Sequence, residues 1–103
     1  QPGMTLSNEP ALYRKGLYGI RNENVMCVVP DQANEFGRFL RFEILTLCFI
    51  DTKPLLPELL APWQIEWLNS YQQRVYTELS PFLDEEERRW LAARTAPFAI
   101  KED

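Results

Sequence analysis

The chain has 103 residues, of which 46% are hydrophobic and 13% aromatic, enough to build a packed core and too many for a disordered tail. Its net charge is −4, from 15 acids and 11 bases, and the bases are scattered apart from pairs such as Arg14-Lys15 and Arg88-Arg89. No basic stripe attracts a nucleic-acid backbone or an anionic membrane, and no apolar run approaches the ~20 residues of a membrane span.

The length suits one domain or a piece of a larger one. The N-terminus lacks a charged region followed by an apolar stretch, so no signal peptide is expected and a cytoplasmic location is the default. Histidine is absent, which excludes a Ser-His-Asp triad, a Cys-His pair and a His-ligated zinc within the chain. Cys27 and Cys48 lie in apolar, strand-like runs and read as small buried hydrophobes in a reducing compartment; a cross-strand disulfide is the less favoured alternative.

The first half predicts β-structure. Residues 4–9 form a short strand closed by Pro10, and residues 11–18 a connection turning at Gly16. Residues 19–29 form a second strand, ended by Pro30. Residues 31–37 are polar, contain a Gly and suit a hairpin loop. Residues 38–50 read as a long strand, apolar on both faces in its second half and so covered on both sides.

The second half predicts helices. Pro54, Pro57 and Pro62 mark the change, and the boundary is set at residues 52/53. Leu68, Tyr71, Val75 and Leu79 make one stripe of a helix over 62–79, which Pro81 ends. A second helix starts at Asp84, with Glu87 three residues on as in a capping box. Trp90, Leu91 and Ala93 are expected to face inward. The fold class is therefore α+β: antiparallel strands followed by a small helical part.

Two acids do not belong on an ordinary surface. Alternation puts Arg21, Glu23, Val25, Cys27 and Val29 on one face, and three of these are apolar. Glu23 there needs a cation, either Arg21 or a metal ion. If strands 4–9 and 19–29 pair antiparallel, Glu9 meets Glu23, and two like charges need something positive between them. The alternative is a pair of solvated or Arg-paired surface acids. Glu43 is similarly ambiguous, with a buried ion pair to Arg21 or Arg41 as its plain explanation. Asp84-Glu85-Glu86-Glu87 reads as a capped helix start rather than a metal patch. The recurring aromatics Trp63, Trp67, Tyr71, Tyr76, Phe82 and Trp90 read as packing.

The segment Gly3-Met4-Thr5-Leu6-Ser7-Asn8-Glu9-Pro10, then Tyr13, then Tyr18-Gly19-Ile20-Arg21-Asn22-Glu23-Asn24-Val25 resembles the closing motifs of the pita-bread metallopeptidases. Its wording is similar to that of the Xaa-Pro aminopeptidases (aminopeptidase P). Phe39-Leu40-Arg41-Phe42-Glu43-Ile44-Leu45-Thr46-Leu47 and Trp67-Leu68-Asn69-Ser70-Tyr71 resemble the C-terminal extension of the cytosolic-type branch. The resemblance implies residues 1–52 as the last strands of a pita-bread catalytic domain and residues 53–103 as its helical extension.

It also implies a site. Such enzymes hold two divalent metals, usually manganese and sometimes zinc or cobalt, through two Asp, one His and two Glu. The two Glu map to Glu9 and Glu23. Glu23 would bridge both metals; Glu9 would bind one and handle the proton of the bridging water; Arg21 would steady the ligands electrostatically. The implied substrates are peptides with proline at the second position.

Ala11, Asn22 and Phe49 depart from the usual Gly, apolar residue and Pro, none at a ligand position. The Asp and His ligands lie upstream in the family, so the chain alone is expected to be inactive and to hold no metal tightly. The competing expectation is a non-catalytic pita-bread binding module. The helical half is expected either to pack on its own catalytic sheet or to form a homodimer contact.

Overall fold

The computed structural model describes residues 1–99. It is α+β, with five strands preceding two helices. The chain divides between Thr46 and Leu47 into two compact units.

The first unit is a β-ribbon with a third strand added. Strand β1 (Thr5–Asn8) pairs antiparallel with β4 (Asn24–Asn34), from Thr5↔Cys27 to Asn8↔Asn24. Strands β2 (Ala11–Arg14) and β3 (Tyr18–Arg21) pair from Ala11↔Arg21 to Arg14↔Tyr18. Both ladders share one register. Stepping on from Asn8↔Asn24 gives Glu9 opposite Glu23, then Pro10 opposite Asn22, then Ala11↔Arg21. This is one long hairpin with an interruption.

Residues 11–14 are therefore strand, not connection. The turn is tighter than composition implied and sits at Lys15-Gly16-Leu17, where the positive φ of Gly16 (74°) favours a residue without Cβ.

Strand β4 also runs past Pro30, which the sequence reading made its end. Pro30 lies beyond the stretch paired with β1, next to a register shift between Pro30 and Ala33. Proline is tolerated at such a bulge because fewer ladder bonds require its missing N–H. Strand β5 (Gly37–Ile44) returns along β4, and the loop shrinks to Glu35-Phe36, with the Phe36 N–H donating to Asn34 Oδ1 at 2.9 Å.

No described residue of this unit is fully buried. The face bearing Glu23 is open, with Val25 40% exposed, so the covered face expected there is not present among the described residues.

The long strand expected over 38–50 ends at Ile44. Beyond it the Leu45 N–H still donates to the Val25 carbonyl at 2.8 Å, and from there side chains replace the ladder. Thr46 Oγ1 accepts from the Val25 N–H at 2.8 Å. In the second unit, Tyr71 Oη donates to the Cys48 carbonyl at 2.7 Å. Both thiols are free; Cys27 is half-buried, while Cys48 is exposed rather than buried, since an irregular segment does not hold alternate residues inward.

Helix α1 (Pro62–Leu79) forms over the predicted residues, with proline in its first turn, where no N–H is needed. Leu68, Tyr71 and Val75 are buried. Gln72 joins them at 0% exposure, which the apolar stripe did not foretell. Its amide acts like a peptide group: Oε1 accepts from the Ile50 N–H at 3.1 Å, and Nε2 donates to the Ile50 carbonyl at 2.8 Å and the Arg94 carbonyl at 3.4 Å. Asn69 does the same for Phe98, at 3.1 and 2.7 Å. Helix α2 (Glu85–Arg94) starts with the predicted box: Asp84 accepts from the Glu87 N–H at 2.9 Å and Glu87 from the Asp84 N–H at 3.0 Å. Leu91 is buried, but Ala93 is exposed and Trp90 is 53% exposed, because only one narrow side of this short helix meets the core. Trp90 instead sets its ring edge-on to Phe49, with centroids 5.5 Å apart.

Candidate metal centre

The interruption in the long hairpin is where the two glutamates stand. Pro10 has no N–H, so its pair with Asn22 keeps a single bond, from the Asn22 N–H to the Pro10 carbonyl at 3.3 Å. Backbone bonds join Met4 with Val28 and Pro10 with Asn22, and bonded and non-bonded pairs alternate. Glu9 and Glu23 therefore fall at a non-bonded pair, the position where facing side chains come closest.

Each carboxylate has a polar neighbour on that face. Ser7 Oγ donates to Glu9 Oε1 at 3.3 Å. Arg21 Nε lies 3.3 Å from Glu23 Oε2. The other end of the same guanidinium, Nη1, donates to Tyr13 Oη at 3.5 Å. Tyr13 above all, with Glu23 and Glu9 after it, holds the Arg21 guanidinium above its ordinary pKa, against the small opposing effect of desolvation. Arg21 is thus charged at every pH of interest and lies in the field of both glutamates. At half-exposed positions such a pair contributes little stability.

Each residue singled out from sequence is accounted for. Glu9, Glu23 and Arg21 share one face. Glu43 stands opposite Cys27, on the same face but four residues along from Glu23, and the cations named for it pair with other acids, Arg21 with Glu23 and Arg41 with Asp31 at 3.8 Å. Ser7 and Tyr13 were assigned no role. The signal for both was available in the alternation, since Ser7 precedes Glu9 by two residues and Tyr13 follows it by four on the same face.

Two facing carboxylates with hard oxygen donors suit a divalent cation. They are too few to enclose one: among the described residues no group of three or more His, Cys, Asp or Glu side chains is placed to hold a metal.

The family model for the C-terminal region of peptidase M24 matches residues 38–98. The chain belongs to the peptidase M24 family. Its relatives agree. It is 41% identical over 101 residues to a probable Xaa-Pro aminopeptidase P of Coprinopsis cinerea, covering 92% of this chain and 16% of that protein. It is 39% identical over 104 residues to the Xaa-Pro aminopeptidase ApepP of Drosophila melanogaster, covering 94% of this chain and 17% of that one. Among solved structures it resembles the X-prolyl aminopeptidase of Caenorhabditis elegans, described as a cytosolic enzyme with a di-nuclear active site. There the TM-score is 0.85 and the identity 35%, over 95% of this chain and 17% of that one. This peptidase M24 chain thus spans about a sixth of the length of the relatives it matches.

Proposed function

We propose that this chain is the C-terminal part of a two-metal, cytoplasmic Xaa-Pro aminopeptidase that removes the N-terminal residue preceding proline. The observation that carries the reading is Glu9 opposite Glu23 at a non-bonded pair, with Arg21 at 3.3 Å from Glu23. In this reading Glu23 and Glu9 would be this chain's ligands to two divalent ions, manganese first among the metals to test. Metals so held would supply an activated water and polarise the scissile carbonyl. Within this chain Glu9 would serve as the proton acceptor, and Ser7, whose Oγ donates to Glu9 Oε1, would orient its carboxylate. Arg21, gripped by Tyr13, keeps Glu23 aimed.

In this reading residues 1–52 belong to the catalytic domain and residues 53–103 are its helical extension. The remaining ligands come from outside this chain, so residues 1–103 alone neither cleave peptides nor bind manganese tightly. Among the described residues no helix is long and apolar enough to cross a membrane. A homodimer contact through the extension is part of the proposal, and sedimentation of the parent at several concentrations tests it.

The deciding experiment uses the full-length parent with Glu23→Gln. Metal content by mass spectrometry and release of the first residue of an Xaa-Pro peptide should both collapse. A variant that keeps its metal and its turnover ends the assignment of Glu23 as a ligand, and a wild-type parent with neither metal nor turnover favours the binding module.

A further inference from the structure

Gly19 lies in the motif Tyr18-Gly19-Ile20-Arg21 but carries no functional group. Glycine is usually demanded by a positive φ, and Gly3, Gly16 and Gly37 each have one, at 87°, 74° and 138°. Gly19 does not; it sits in a regular strand that any residue could adopt. In mid-strand, glycine weakens a sheet and often marks close approach by another group. The group here is Tyr13, its direct cross-strand partner. A Cβ on Gly19 would lie 2.6 Å from Tyr13 Cδ1 and 3.0 Å from Cε1, inside any tolerable contact. The Cδ1–Cε1 edge of the Tyr13 ring thus occupies the space a side chain at 19 would fill. From there its hydroxyl reaches Arg21 at 3.5 Å.

We infer that Gly19 is a positioning residue: its missing side chain seats the Tyr13 ring, which holds Arg21, which aims Glu23. The chain of contacts runs Gly19, Tyr13, Arg21, Glu23 along one face of the hairpin. Tyr13 is 65% exposed, so a methyl group at 19 displaces the ring rather than the backbone. The strand survives and the grip on Arg21 is lost. This inference rests on the proposed role of Glu23, and the test separates the two.

The test is a double-mutant cycle in the full-length parent, using manganese-loaded enzyme and an Xaa-Pro peptide. Gly19→Ala should lower kcat about 10- to 100-fold, as loss of a contact behind a metal ligand does, with KM much less affected. Tyr13→Ala should cost as much. Tyr13→Phe, which keeps the ring and removes the hydroxyl, should reproduce that loss without a packing defect. In the Tyr13→Ala background, Gly19→Ala should then cost nothing, because no ring remains to displace. A crystal structure of the Gly19→Ala parent should show the ring moved off Arg21. Unchanged kcat in Gly19→Ala, or losses that multiply in the double variant, overturns the inference. A wild-type parent with neither metal nor turnover overturns the function proposal instead, and is seen before any variant is made.

Discussion

Glu9 faces Glu23 across a hairpin at the one place where Pro10 interrupts its hydrogen bonding. Like charges directly opposite are unfavourable unless a cation lies between. The sign of a Glu9→Gln substitution should therefore depend on metal. In the isolated chain without metal it should stabilise by about 0.2–0.5 kcal/mol, less at high salt. In the metal-loaded parent it should lower the melting temperature, and a chelator should abolish that difference. Urea melts of the chain and thermal melts of the parent, each with and without manganese, read both signs.

Gln72 should be the most sensitive polar position of the helical unit. It satisfies the Ile50 N–H and both carbonyls of Ile50 and Arg94 from a fully buried site. Gln72→Leu keeps the volume and orphans these groups, at about 1–3 kcal/mol for each buried group left unpaired. The midpoint of urea unfolding should fall with the slope unchanged. Gln72→Glu should be at least as damaging, since a carboxylate cannot donate to the two carbonyls and is itself costly to bury.

Asp84→Ala removes the acceptor for the Glu87 N–H and leaves α2 without its cap. The expected loss is about 1 kcal/mol, and Asp84→Ser should recover most of it. Circular dichroism during urea unfolding follows both variants.

Burial raises the Tyr71 phenol above its ordinary 10.0. In the unfolded chain the phenol ionises near its ordinary value, while the folded chain still holds its proton. Tyr71 thus supports folding fully below about pH 10 and loses that contribution as pH rises through the folded value. Stability should decline in that alkaline window, and Tyr71→Phe should flatten the decline while costing about 1 kcal/mol at neutral pH. Chemical denaturation of both proteins between pH 7 and 11 checks the prediction.

Much of this was written locally. The α1 limits follow from Pro62 and from the spacing of Leu68, Tyr71 and Val75; the α2 start follows from Asp84 and Glu87, three residues apart in the chain and joined by their own backbone. The pairing of Glu9 with Glu23 was legible too, because strand alternation and one antiparallel turn suffice to oppose them. What the residues alone did not determine are the features set by partners distant in sequence. Residues 45–50 look like strand, yet their hydrogen bonds go to Val25, Tyr71 and Gln72, and propensity is silent on which partner wins. Pro30 looks like a terminator until the bulge beside it removes the demand for its N–H. Gly19 looks like a flexible link, and only the register that lays Tyr13 over it gives the absent side chain a purpose.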